Sequence, residues 1–350
     1  MKKTKIICTI GPSSNHIDIL RKMVEAGMDV ARFNLSHSNH SSCHDAIEKI
    51  RKLEQEYQKT IGILFDTNGP ELRLGRMEED ACFLKKGSEV KVYGMPILGT
   101  STEFSINYAN LLEDVSINTK LLLSDGKVVL RIVSKLENCL LCVVEEEGFV
   151  YSNRTVHIPN IRFNMDYLSE KDKEDIRFAV EEKVDFLALS FVRSHFDVLD
   201  VTDYLIELGD DHIQLISKIE NNDAIEEIDD ILKDSDGIMV ARGDLGVEIP
   251  VEKLPGIQKI MIEKAKEANK IGIVATELLS TMEIDSKPTR AEVSDVYNAV
   301  IDGSDAIMLS GETTIGNYPV ETVEMMRKII ISAEEDMDYI SLLENAMRSE

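Results

Sequence analysis

The sequence is short of positive charge: 39 Lys and Arg stand against 64 Asp and Glu in 350 residues, a net charge of −25. So acidic a chain repels nucleic-acid phosphates and anionic membrane surfaces, which argues against nucleic acid or membrane as partners. Cysteine is also scarce. Five Cys make no disulfide framework, and their scarcity points to a reducing, cytoplasmic setting. Long apolar runs are missing: the best, Phe186–Val192, is strand-sized, far below the roughly 18 residues of a membrane span. At the start, Met1-Lys2-Lys3-Thr4-Lys5 leads into Ile6-Ile7-Cys8, too short an apolar stretch for a secretory signal. What remains, 43% hydrophobic and 29% charged residues, describes a soluble globular protein with chain enough for about two domains.

Short β-branched runs alternate with helical patterns. Strands are expected at 5–10, 29–35, 62–67, 186–191, 213–218, 237–241, 272–276 and 306–310, with helices between them. His16–Gly27 has helical apolar spacing and a Gly stop; Ser169 opens an acidic first turn, as an N-cap should. Near-continuous apolar strands joined by helices indicate a parallel sheet buried on both faces. Eight such units favour a closed (β/α)8 TIM barrel over an open sheet, because the first turn, Thr9-Ile10-Gly11-Pro12-Ser13-Ser14, lacks the G-x-G-x-x-G spacing.

About a hundred residues after the third strand break this rhythm and are too many for a loop. They read as β structure, with Ser124-Asp125-Gly126-Lys127 as a hairpin turn. The expected class is therefore α/β: a barrel catalytic domain over 1–71 and 159–350, with a small β-barrel lid domain inserted at 72–158 and hinged near Gly69-Pro70 and Pro159. The acidic stretches Glu226–Asp236 and Glu334–Asp338 read as solvated faces.

Active sites of such barrels lie at the carboxyl ends of the strands. There the second strand carries Arg32, Asn34 and Ser36 on one face, and the third ends in Asp66-Thr67. The fifth ends in Lys218 and Glu220, the sixth in Gly243-Asp244, the seventh in Thr276 and the eighth in Ser310-Gly311-Glu312. Polar groups at six strand ends are not what packing alone produces. Glu220 and Asp244 suit one Mg²⁺, Arg32 and Lys218 suit a transferred phosphoryl group, and the Gly243-Asp244 turn offers N–H groups to a carboxylate. Together they suit a phosphorylated carboxylic acid handled by a metal.

In KIICTIGPSS, MDVARFNLSH, DTNGPELRLG, SKIEN, IMVARGDLGVEIP, IVATELLSTM and PTRAEVSDVYNAVIDGSDAIMLSGET, the sequence resembles the pyruvate kinase family, in family order from residue 4 to about 330. The resemblance implies phosphoryl transfer from phosphoenolpyruvate to ADP. By it, Arg32 and Lys218 contact the phosphoryl group, Lys218 also the enolate oxygen, and Thr276 with water serves enolate protonation. Gly243 and Asp244 join the substrate site. Glu220 and Asp244 bind Mg²⁺ or Mn²⁺, and Asn34, Ser36, Asp66 and Thr67 surround K⁺. Asn34, His37, Arg73 and Arg154 lie on the nucleotide side, and Glu71 resembles the K⁺-dependent branch. The family continues into a carboxyl-terminal regulatory domain, whereas this sequence stops at Glu350. The expectation is a chain without sugar-phosphate control through that domain, able to form homo-oligomers only through its barrel.

Departures cluster on the nucleotide side. Asn68 and Arg154 stand where the family has Lys, Ser38 where it has Gly, and Glu277 replaces a Gln beside the catalytic Thr, adding negative charge near the enolate. A diverged relative with another acceptor or substrate, and a non-catalytic binding protein, are the alternatives. Cys139 and Cys142, spaced along a strand, point to opposite faces and argue against a redox pair. His37, His40, Cys43 and His44 read as a helix start with exposed His rather than a zinc site.

Overall fold

The computed structural model describes residues 2–36 and 38–348. Eight parallel strands close into a barrel: β1 (Lys5–Thr9), β2 (Val30–Asn34), β3 (Gly62–Asp66), β4 (Phe186–Leu189), β5 (Gln214–Ile219), β6 (Gly237–Ala241), β7 (Ile271–Ala275) and β8 (Ala306–Leu309). Each lies within two residues of its expected segment, pairs with its sequence neighbours, and β8 returns to β1. Side chains alternate, so each strand feeds two cores. Outward residues such as Ile6, Ile63 and Leu215 pack against the helices, while Ile7, Leu64, Ile216, Met239, Ile273 and Met308 fill the barrel interior. Two residues further toward the carboxyl end, the same inward rows place Asp66 after Leu64 and Lys218 after Ile216. An apolar plug thus sits under a polar layer.

The helices begin where their caps dictate. Ser169 and Asp172 form a reciprocal capping box at Glu170–Glu182, and Thr289 and Glu292 do the same at Arg290–Ile301. Gly27, at φ 127°, ends Ile17–Ala26. Among the described residues no helix is long and apolar enough to cross a membrane.

Between β3 and the helix at Glu170 lies the β-rich insert. Its larger sheet runs Val156–His157, Lys120–Leu123, Val128–Lys135, Leu140–Glu146, Glu89–Tyr93, Glu103–Ser105; Ala81–Leu84 and Gly148–Tyr151 form a separate ribbon. All pairs are antiparallel except the last in the larger sheet, so the expected small barrel takes the form of a mixed half-barrel with a ribbon beside it. The expected hairpin turn forms, with positive φ at Asp125 and Gly126 and Lys127 N–H donating to Ser124 O, the primed geometry that matches strand twist. The insert has its own core, which draws on Leu72 through Ile158. At its entry, Gly69 adopts φ 65° against the Ser190 carbonyl, where a β-carbon would collide.

Candidate active site

A polar cavity of about 470 Å³ lies at the carboxyl ends of the strands, between barrel and insert. Arg32, Asn34, Ser36, Asp66, Thr67, Lys218, Glu220, Asp244 and Thr276 line it from the barrel, and Arg73 and Arg154 from the insert. A larger cleft, about 1420 Å³, opens at the amino ends of the strands. That end of a barrel serves stability rather than catalysis, and its Lys2 and Lys59 are already paired with Asp29.

The centre of the smaller cavity is a buried charge layer. Asp66, 1% exposed, accepts from Arg32 Nε at 2.8 Å and Nη2, from Lys218 Nζ at 3.1 Å and from Ser190 Oγ at 3.0 Å. Ser190 Oγ also accepts from Lys218 at 2.7 Å, and Lys218 lies 2.9 Å from Glu220 Oε1. Burial pushes the Asp66 pKa up, but Arg32 and Lys218 outweigh it and hold the carboxyl below its ordinary value. Burial likewise opposes the Lys218 ammonium, yet Asp66 and Glu220 keep its pKa above the usual lysine range. Glu220 goes the other way. Burial and Asp244 overcome the Lys218 attraction and push it up to about 7.

Glu220 is incompletely satisfied. Its Oε2 accepts from Phe191 N–H at 2.7 Å, presented by a left-handed backbone (φ 54°) just past β4. Oε1 is buried against the Lys218 ammonium at 2.9 Å and has no further donor among the described residues. Asp244, on the short helix after β6, faces His157 Nε2 at 3.5 Å, and His157 Nδ1 lies 3.0 Å from Glu248. Burial disfavours the imidazolium, but the two carboxylates prevail and raise the His157 pKa to about 9. For Asp244 burial is again the largest influence and raises its pKa, and His157 and Lys218 overcome it and bring the pKa down. His157 therefore ties the insert to the barrel by charge.

Thr276 enters the cavity from a left-handed residue, φ 68°, and its Oγ1 accepts from Gly243 N–H at 2.8 Å. That N–H, expected to face a substrate carboxylate, is paired here with Thr276. Asn34 Oδ1 accepts from Ser36 N–H, Ser36 Oγ donates to Asn68, and Thr67 Oγ1 donates to the Ala188 carbonyl at 3.3 Å. Arg73 pairs with Glu71, which also accepts from Thr155, so the insert's rim is knitted to the segment by which the chain enters it. Glu277 departs from expectation: its side chain is exposed and outside the cavity lining, because the left-handed Thr276–Glu277 turn breaks the strand's alternation. His37 lies outside the described residues. His40 stacks on Phe178 and pairs with Asp175 at 2.6 Å, while the more exposed His44 pairs with Glu182. Cys139 and Cys142 are both buried free thiols.

Sequence reasoning missed Ser190, His157 and Arg242. Ser190 ends the apolar run of β4 two residues beyond inward Ala188, and that period of two was a usable signal. Arg242 stood inside a motif read only for its Gly and Asp. For His157 no sequence signal existed, because its partners are 87 and 91 residues away on the barrel.

The barrel-domain model of pyruvate kinase matches residues 1–323. Pyruvate kinases of Staphylococcus epidermidis and Geobacillus stearothermophilus are 45% and 44% identical to this chain over 98% of it. The chain spans 59% of the length of those curated relatives. A solved pyruvate kinase from Cryptosporidium parvum superposes with a TM-score of 0.93 at 38% identity, over 99% of this chain and 72% of that one. Fold, cavity and these relatives agree: the chain belongs to the pyruvate kinase family.

Proposed function

We propose that this chain transfers the phosphoryl group of phosphoenolpyruvate to ADP, giving pyruvate and ATP. The observation that carries the reading is the buried layer of Arg32, Asp66, Lys218 and Glu220, two cations and two carboxylates facing a cavity that the insert rims with Arg73 and Arg154. The barrel over 1–71 and 159–350 would carry the chemistry, with 72–158 as a lid, a division supported by the insert's separate core.

The donor set fits a divalent cation. Glu220 presents a buried oxygen whose ion-pair partner is Lys218, Asp244 is a half-exposed carboxylate, and two carboxylates leave the remaining positions to water and substrate oxygens. Mg²⁺ or Mn²⁺ held there supplies Lewis-acid polarisation of phosphoryl and carbonyl oxygens. The oxygens of Asn34, Ser36, Asp66 and Thr67, hard donors with one charge among them, suit K⁺.

The protein's own groups do the rest. Arg32 and Lys218 meet the charge that spreads over the moving phosphoryl group. Lys218 is fully engaged by Asp66, Ser190 and Glu220, so it takes up substrate by giving up one of these partners. Lys218 then steadies the enolate oxygen. Thr276, relayed by water, supplies the proton that forms the third C–H bond of the methyl group, and solvent restores it. Arg73 and Arg154 meet the nucleotide phosphates, with Asn34 and His37 on that side.

Coupling pyruvate formation to lactate dehydrogenase tests the reading. ADP-dependent turnover is expected with Mg²⁺, faster in K⁺ than in Na⁺ or Li⁺. Full activity in Li⁺ would remove the K⁺ assignment. Oxalate and Mg²⁺ binding with no ADP-dependent pyruvate would replace ADP with another acceptor, a reading favoured by Asn68, which holds Ser36 where the family has Lys.

Divalent-cation affinity should depend on pH. Because Glu220 sits near pH 7, a proton competes for its carboxylate. Affinity is expected to climb about tenfold per pH unit below 7 and level off above it, with proton release on binding at pH 6. Calorimetric titrations at several pH values check this; Glu220→Gln should both weaken binding and flatten the profile.

A further inference from the structure

The turn that presents Thr276 is strained. Thr276 and Glu277 both occupy the left-handed region, at φ 68° and 53°, which costs a β-branched residue on the order of 1–3 kcal/mol. A turn of this kind persists only where its surroundings hold it, and here one side chain does. Arg242, 7% exposed, donates from Nε (3.1 Å) and Nη2 (2.6 Å) to the Thr276 carbonyl and from Nη2 to the Glu277 carbonyl at 2.9 Å. Its Nη1 reaches Asp295 at 2.9 Å and Gln258 at 3.4 Å. Every N–H of the guanidinium is thereby committed, and a planar fork of fixed geometry joins both carbonyls of the turn to the helix Arg290–Ile301.

The next residue completes the arrangement. Gly243 N–H donates to Thr276 Oγ1, so the hydroxyl's lone pair is taken from the barrel side and its own hydrogen is left for the cavity. Side chain 242 fixes the backbone of Thr276, and backbone 243 fixes its hydroxyl. We infer that Arg242, steadied by Asp295, is a positioning residue that orients the Thr276 hydroxyl for proton delivery to the enolate. The inference rests on the pyruvate kinase reading above. Arg242 itself does not line the cavity and is no catalytic residue.

The test follows the proton. Run in reverse, the protonation step exchanges the methyl hydrogens of pyruvate with deuterated water, which NMR follows without ADP turnover. Arg242→Lys keeps the charge but loses the fork, and should slow exchange by about 10- to 100-fold with the KM for pyruvate within about twofold. In a Thr276→Val background the same substitution should add less than about a twofold loss, since it acts through that hydroxyl. Asp295→Asn, a half-exposed change remote from the cavity, should give a smaller loss of the same kind and covers the case in which the Arg242 variant fails to fold. Wild-type exchange in Arg242→Lys or, failing that, in Asp295→Asn overturns the inference, as does an equal loss in the Thr276→Val background. A wild-type protein that neither exchanges pyruvate nor turns over phosphoenolpyruvate overturns the functional reading itself, and this inference with it.

Discussion

Lys218→Met should lower kcat by about a thousandfold or more, since a single preorganised donor is worth about 10²–10³ and the proposed mechanism sets Lys218 against both the phosphoryl group and the enolate oxygen. Its side chain lies at the floor of the cavity within reach of Asp66, Ser190 and Glu220, and among the described residues no other lysine lines that cavity. Methionine preserves most of the volume, so packing is spared and charge is removed. The consequence falls on Glu220, which loses the attraction that opposes its burial and is pushed to a still higher pKa. Because Glu220 can take a proton instead of remaining an unpaired buried charge, the variant should fold. Mg²⁺ should still bind, with its pH profile displaced upward. The coupled assay and a metal titration measure the two effects; an unchanged rate would remove Lys218 from the mechanism.

Asp66→Asn should be the most destabilising single change in the layer, by about 3–5 kcal/mol, because it leaves the buried Arg32 with no carboxylate and Lys218 with only one of its two. Arg32 retains only Thr9 Oγ1 and Lys218 retains Ser190 and Glu220. The pH dependence has a definite sign. Asp66 has a depressed folded-state pKa, so its contribution is complete above the ordinary carboxylate value of about 3.9 and disappears as pH falls through the folded value. Denaturant unfolding of wild type and variant should thus differ by a constant amount near neutrality and converge in acid. A gap that does not narrow at all as pH falls below the ordinary carboxylate value would mean the loss is one of packing and not of charge.

Much of the architecture was legible in residue order. The barrel strands are short, apolar and β-branched, and burial on both faces demands that composition, so β6 (Gly237–Ala241) could be read without knowing its neighbours. The capping box at Ser169 and the Asp125-Gly126 turn are local chemistry and formed where expected. The strand-end polar residues were legible for the same reason: a period of two puts Lys218 and Glu220 on the face of Ile216. Glu277 was placed near the enolate only by its adjacency to Thr276 in the family pattern, and the turn's two left-handed residues send its side chain out to solvent instead.

By itself, then, the sequence determined the alternation of strand and helix, the inward rows and the polar types at their ends, all consequences of chain-local periodicity and burial. It also determined that the acidic surface must coexist with a local cluster of cations. Only the tertiary structure decided the pairings. Asp66 could not be assigned to Arg32 and Lys218, nor His157 to Asp244 and Glu248, nor Arg242 to the Thr276 carbonyl, until the closed barrel brought distant segments within a few ångströms. Protonation followed from those pairings, because a carboxyl's pKa depends on its burial and on the charges facing it. That is why Asp66 is held down and Glu220 pushed up although both are acidic side chains at the end of a barrel strand.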